Sequence, residues 1–314
     1  MKAVVIDRFK EPGAVREIPD PVLEPDAVII RITRAGINPI DWKVRDGEAG
    51  ARTFPFVLGQ DVAGVVERVG VRVSRVKAGD RVFGVAREHG AYAELTMIQE
   101  ARHDSPFSVI PDGVSDAQAA ALPTPGLTAF AAVVLLGVTK GTRLLIVGAA
   151  GSVGSAAVQI AHGRGAQVTG IVRPGQGDGV RQLGADATGE SVDELLATIR
   201  AGKAEAFDAV LDLVSDGDTL KKNVALVQKG GKLVTTVHVA DEPWFRERDV
   251  EATNISMFET PQSSPEGLDR IAKMVADGSL KVDVAAEEPL DDAPRVLDDV
   301  KAGKLKGKVD LQVR

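Results

Sequence analysis

Residues 143–173 read RLLIVGAAGSVGSAAVQIAHGRGAQVTGIVR, and this stretch decides the fold. A short apolar run ending at Val147 is followed by Gly148, Gly151 and Gly154, then by a segment with helical character, then by a second β-branched run ending at Val172. Glycines spaced in this way between a strand and a helix are a variant of the dinucleotide-binding loop. They permit a tight turn, close backbone approach to a pyrophosphate and tight helix–strand packing. Gly151, Ser152, Val153 and Gly154 would present backbone N–H groups at a helix N-terminus, where the dipole favours an anion. A glycine cluster alone means only a turn; here it stands inside the strand–turn–helix–strand unit that the chemistry requires.

The end of the second strand bears on the cofactor. Chains that bind NAD place a carboxylate there to hold the ribose hydroxyls. This chain has Val172, Arg173, Pro174 and Gly175, with no carboxylate before Asp178. Arg173 can pair with a 2′-phosphate, and a charge-assisted hydrogen bond of ~1.5–3 kcal/mol corresponds to a preference for NADPH on the order of ten- to a hundredfold. The competing reading of Arg173 is a solvated surface residue.

Working outward, strands and helices continue to alternate. FDAVLDLV (207–214) and GGKLVTTV (230–237) read as further strands, which predicts a parallel sheet covered on both faces. Before residue 118 the texture is different. KAVVIDRF, DAVIIRITRAGI, DVAGVVERVG, DRVFGV and GAYAELTMI are short β-branched runs separated by turn residues, closer to a compact barrel than to an open sheet. After 260, SPEGLDRIAKMVADG and DDAPRVLDDVKAG read as helices, and SLKVDV and GKVDLQV as strands. The expected organisation is a β-rich domain at 1–117, an inserted dinucleotide-binding domain at 118–259, and a return to the first domain at 260–314.

Composition narrows the function. The 314 residues are 44% hydrophobic and 26% charged, enough to bury two cores, and the net charge of −7 disfavours a general nucleic-acid or anionic-membrane partner. No apolar run is long enough to span a bilayer, and no secretory signal is evident, so a cytoplasmic location is expected. Cysteine is absent, which excludes disulfides and thiolate metal ligands. The four histidines, His89, His103, His162 and His238, have no metal-binding spacing.

The chain resembles the zinc-independent quinone oxidoreductase branch of the medium-chain dehydrogenase/reductase superfamily, nearly end to end. AGINPIDWKVRDG (35–47), FPFVLGQDVAGVVERVG with KAGDRVFG, ALPTPGLTAF, GAAGSVG, LGAD, FDAVLDLV, GGKLV and GKLKGKVDL are similar to the family's blocks and fall in its order. The resemblance implies an α/β fold in which a GroES-like β-rich catalytic domain accompanies a doubly wound Rossmann domain, with the active site in the cleft between them. It implies hydride transfer from NADPH to a quinone or an α,β-unsaturated carbonyl compound. It also implies a homodimer built on Rossmann edge strands, for which 251–260 is the candidate here. Zinc relatives carry a Cys and a His where this chain has Ile37-Asn38-Pro39 and Gly59-Gln60-Asp61, so zinc catalysis is not expected.

By the same resemblance Asn38 is placed near the nicotinamide and substrate, and Thr128 and Val214 near the nicotinamide half of the cofactor. Without a metal, an oxyanion must be stabilised by hydrogen-bond donors or solvent. Asn38 and the one tyrosine, Tyr92, are therefore the catalytic candidates, against bland readings as a turn residue before Pro39 and a structural strand residue. Asp41 is expected to pair with Lys43 or Arg45 and hold their loop. Glu48, Ala49 and Gly50 stand where the family often carries a substrate-side tyrosine, which suggests a more open pocket. Trp42, Phe54 and Phe56 can supply an aromatic wall or simply pack. Two other readings stay open: an NADPH-binding sensor without turnover, and a reductive module acting on acyl chains.

Overall fold

The computed structural model describes residues 1–88, 90–305 and 307–313. His89 therefore lies outside the described residues. The chain forms two compact units, one of Met1–Leu127, Ser263–Gly278 and Val282–Arg314, the other of Thr128–Gln262 with Ser279–Lys281.

The first unit opens with β1 (Lys2–Ile6), β2 (Ala14–Glu17), β3 (Ala27–Gly36), α1 (Pro39–Asp46), β4 (Phe56–Val57), β5 (Asp61–Val69), β6 (Arg81–Val85), β7 (Leu95–Gln99), β8 (Phe107–Val109) and α2 (Asp116–Ala120). Helix α3 (Pro123–Leu135) carries the chain onward, with Pro123 at its first turn, where a missing N–H is harmless. The second unit contains β9 (Arg143–Val147), α4 (Ser152–Gly163), β10 (Gln167–Ile171), α5 (Gly177–Gln182), β11 (Ala187–Gly189), α6 (Val192–Arg200), β12 (Phe207–Asp212), α7 (Gly217–Lys222), β13 (Val227–Thr235), α8 (Glu242–Arg246) and β14 (Val250–Asn254). The chain then returns with α9 (Pro265–Ala276), β15 (Val284–Pro289), α10 (Ala293–Lys301) and β16 (Lys308–Gln312).

In the first unit the strands pair in the order β15-β16-β3-β5-β6-β8, with β7 also on β3, beside a small sheet ordered β2-β1-β4. All pairs are antiparallel except β15 with β16. The alternating apolar residues of these strands, among them Ile6, Ile30, Ile32, Val62 and Ile98, make one core with Leu290, Val296 and Leu297 of the returning segment. The unit runs to Leu127, past the change of texture at 118. The physical reason is Asp61 of β5, whose carboxylate accepts both the backbone N–H and the hydroxyl of Thr124 and so ties the start of α3 to this sheet.

The second unit is a six-stranded sheet ordered β11-β10-β9-β12-β13-β14, parallel throughout. Counted from β9, this is the 3-2-1-4-5-6 order of the doubly wound dinucleotide fold, whose strand order reverses between β9 and β12. Leu145, Val147, Val210 and Leu233 of the sheet share a core with Leu196, Leu220 and Phe245 of the flanking helices.

Two sequence expectations change. The segment read as a loop after Asn38 is the helix α1: Pro39 stands at its first position, and the Asp41 carboxylate in its first turn accepts the Asn38 N–H. SLKVDV becomes strand only at Val284. Its Lys281 instead donates its backbone N–H to Gln159 Oε1 and accepts at its carbonyl from Gln159 Nε2, which removes both groups from any ladder.

Candidate functional site

The glycine loop joins β9 to α4 at the reversal of strand order, where open α/β sheets bind ligands. Its three glycines do different things. Gly148 has φ +89°, and a Cβ there would stand 2.9 Å from Cγ1 of Val214. Gly154 is packed so closely that a Cβ would meet the carbonyl oxygen of Gly148 at 2.3 Å. Gly151 has neither constraint: its φ of −75° suits any residue, and the nearest atom to a Cβ would be 3.4 Å away. Nothing within the protein requires glycine at 151, and the space beside it stays open. Gly151 is also the N-cap of α4 and supplies no capping side chain to the N–H groups of Ser152, Val153 and Gly154. This cradle fits a pyrophosphate.

Val214 borders the same loop. Asp212, at the end of β12, accepts the N–H groups of Val214 (3.0 Å) and Ser215 (2.8 Å) and the Ser215 hydroxyl (2.7 Å). That turn holds the Val214 side chain outward, 63% exposed, where a strand-end valine would ordinarily be buried. Arg173 leaves the end of β10 exposed, and its guanidinium has no ion-pair partner among the described residues. Thr128 is buried in α3.

The first unit holds a buried polar cluster around Asn38. Asn38 Nδ2 donates to Asp61 at 2.7 Å, and its Oδ1 accepts from Lys308 Nζ at 2.6 Å. Lys308 also donates to the Ile37 carbonyl and lies 3.9 Å from Asp61. Pairing of β16 with the end of β3, together with the Ile37 N–H bonded to the Val309 carbonyl, brings Lys308 here from across the sequence. Asp41 Oδ2 accepts the Asn38 N–H at 2.7 Å and the Tyr92 hydroxyl at 2.9 Å. Both ends of the Asn38 carboxamide are thus fixed by charged partners, which sets its orientation.

Two sequence assignments are corrected by this geometry. Tyr92 is fully buried and its hydroxyl is committed to Asp41, so it is a core residue and not a donor to substrate. Asp41 does not pair with Lys43 or Arg45; it faces inward, and Arg45 binds Asp46 and Asp298 instead. Of the two readings of Trp42, Phe54 and Phe56, packing is the one observed: all three lie against the core of their unit, with Phe54 edge-on to Phe9. Lys308 and Asp61 carry no signal of their own in the sequence, because their meeting depends on long-range pairing of β16 and β5 with β3.

Burial raises the Asp61 carboxyl and lowers the Lys308 ammonium from their ordinary values, and each charge pulls the other back. Burial, assisted by the Asp61 charge, pushes Asp41 from 3.8 up to about 7, against the hydrogen bonds from Asn38 and Tyr92 and the Lys308 charge. The folded protein therefore keeps a proton on Asp41 that the unfolded chain has lost above about pH 4. This contribution to stability is present at low pH and disappears as pH rises through about 7, by on the order of 4 kcal/mol. Asp41→Asn is expected to remove that loss. Denaturant midpoints should favour the variant increasingly from about pH 4 to about pH 7 and level off above, whereas parallel curves would show that Asp41 does not titrate in this window.

A Rossmann sheet with an open cradle at its switch point, in a chain whose other unit is β-rich and antiparallel, is the architecture of a dinucleotide-binding domain joined to a second, β-rich domain. Residues 24–107 match the alcohol dehydrogenase GroES-like domain, and residues 183–310 match the zinc-binding dehydrogenase family. The quinone oxidoreductase of Sus scrofa is 30% identical over 242 residues, covering 74% of this chain and 72% of that protein. The 2-methylene-furan-3-one reductase of Solanum lycopersicum is 34% identical over 72% of this chain, a match that spans only 58% of that protein's length. The structure of Escherichia coli quinone oxidoreductase complexed with NADPH superposes with a TM-score of 0.88 at 25% identity, covering all of both chains. The chain belongs to the quinone oxidoreductase-like branch of the medium-chain dehydrogenase/reductase superfamily.

Proposed function

We propose that this oxidoreductase is a zinc-independent reductase that uses NADPH to reduce a quinone or an α,β-unsaturated carbonyl compound. The observation that carries the cofactor half is Gly151: a glycine that neither its backbone angles nor its neighbours require, beside open space, at the N-terminus of α4. The amides of Ser152, Val153 and Gly154 and the helix dipole receive the pyrophosphate, Gly148 makes the turn, and Arg173 pairs with the 2′-phosphate. Val214 and Thr128 are assigned to the nicotinamide half. The cofactor, when bound, supplies the hydride. The substrate class is supported by relatives named as quinone and furanone reductases.

Asn38 keeps its assignment beside the substrate and nicotinamide as a residue that shapes the wall of the site: it is buried, and both ends of its carboxamide are bonded to Lys308 and Asp61. The zinc-free reading rests on residue identity. The chain has no cysteine, and Gln60, at the position of a zinc relative's histidine, donates to Thr124 at 2.9 Å. Absence of cysteine fits a reducing, cytoplasmic setting. β14 ends the sheet, and pairing of its outer edge with a second copy would give a homodimer.

Steady-state consumption of the reduced cofactor tests the proposal, with quinones, enones and 2-alkenals as acceptors. NADPH should be consumed only when an acceptor is present, and NADH more slowly. Arg173→Ala should weaken NADPH about tenfold or more while changing NADH little. NADPH that binds without being consumed across the panel would favour the sensor.

A further inference from the structure

We infer that Glu190 opposes Arg173 in cofactor choice, placing a negative charge beside the site of the 2′-phosphate; this rests on the NADPH reading above. β10 and β11 run parallel with Ile171 beside Gly189, and the Val172 N–H donates to the Gly189 carbonyl at 2.9 Å. Arg173 and Glu190 therefore leave the C-terminal ends of adjacent strands one step further on. The chain after Arg173 turns tightly, with the Gln176 N–H on the Arg173 carbonyl and the Arg173 N–H on Gln176 Oε1. At its apex Gly175, with φ +80°, donates its N–H to Glu190 Oε1 at 3.2 Å.

Glu190 thus occupies a backbone donor two residues from the guanidinium that would receive the phosphate. The neighbouring cation does not tip the balance, because Arg181 is already held by Asp178 and the Thr188 hydroxyl. Among the described residues Arg173 has no ion-pair partner, and Glu190 is the carboxylate that holds the turn following it. The sequence hides this arrangement: no carboxylate stands directly after the second strand, and the acidic residue that reaches the turn there arrives from the third. A dianionic 2′-phosphate is drawn to Arg173 and repelled by Glu190, whereas the uncharged ribose of NADH feels neither strongly. Glu190 is in this account a specificity-determining residue that moderates the preference for NADPH.

The test is direct titration of NADPH and NADH into the wild type, Glu190→Gln and Glu190→Ala. The glutamine variant keeps an oxygen for the Gly175 N–H and removes the charge; the alanine variant also frees that N–H. Both should bind NADPH about three- to tenfold more tightly, with the gain shrinking at high salt as a surface charge effect must. An unchanged NADPH affinity would overturn the inference. So would a preference that rises only because NADH weakens, which would make Glu190 a ligand of the ribose hydroxyls. A wild type that binds neither cofactor would overturn this inference and the NADPH reading together; failure of the Glu190 variants alone leaves that reading intact.

Discussion

Gly151→Val is expected to fold normally and to lose NADPH. The backbone at 151 is extended, with φ −75° and ψ 169°, which valine adopts without strain, and its Cβ would have no contact closer than 3.4 Å. Valine is a poorer N-cap than glycine, but it also lowers the entropy of the unfolded chain, so stability should change by no more than about 1 kcal/mol. The side chain would instead fill the space that the pyrophosphate needs. A loss of roughly 3 kcal/mol in binding, about a hundredfold in affinity, is the expected result. The neighbouring glycines give the contrast. Valine at 154 would drive a Cβ to 2.3 Å from the Gly148 carbonyl, and at 148 it would have to accept φ +89°. Those variants should fail by unfolding the loop, with a lowered melting temperature. Unchanged NADPH affinity in a folded Gly151→Val protein would remove the phosphate cradle from the account.

The second large effect is expected at Lys308. Its ammonium is buried and bonded to Asn38 Oδ1 at 2.6 Å and the Ile37 carbonyl at 3.0 Å, with Asp61 at 3.9 Å. Lys308→Met keeps the chain length and removes the charge. Asp61 then stays in the core with no cation near it, and breaking one side of such a pair costs about 3–5 kcal/mol. Adding Asp61→Asn should recover part of the loss. Once Lys308 is gone the Asn38 carboxamide is free to flip and accept from the new amide, while Thr124 keeps an acceptor. Denaturant unfolding of the two variants checks this. A single variant as stable as the wild type, or a double variant no better than the single one, would show that the cluster is not held by its charges.

How much of this is legible in the sequence differs between the two units. In the Rossmann unit the signals are local. Apolar runs at 144–147 and 168–172, the glycine spacing and the alternation of strands and helices each lie within a few tens of residues. The short third strand, Ala187–Gly189, has no such signal, because three residues cannot show a period. Glu190 is hidden with it. In the other unit the strands are readable but their partners are not. β3 takes β16, β5 and β7 as neighbours, and only that pairing brings Asn38, Asp61 and Lys308 together. Tyr92 shows the same limit from the other side: a lone tyrosine in GAYAE reads first as a strand residue, and only its burial removes the reading as a donor. The helix α1 is masked by the Asn-Pro turn signal at its start, although Asn38 and Asp41 have the spacing of a capping box.

Transfer of label from the cofactor tests the central claim most directly. The wild-type protein would be given NADPH deuterated at C4 with a simple enone, and the product examined by mass spectrometry and NMR. Hydride transfer predicts a saturated ketone with one deuterium on the carbon β to the carbonyl when the transferred face is labelled, and none when the opposite face is. No reduced product across enones and quinones, or a product without label from either face, would contradict the assignment of this chain as an NADPH-dependent reductase.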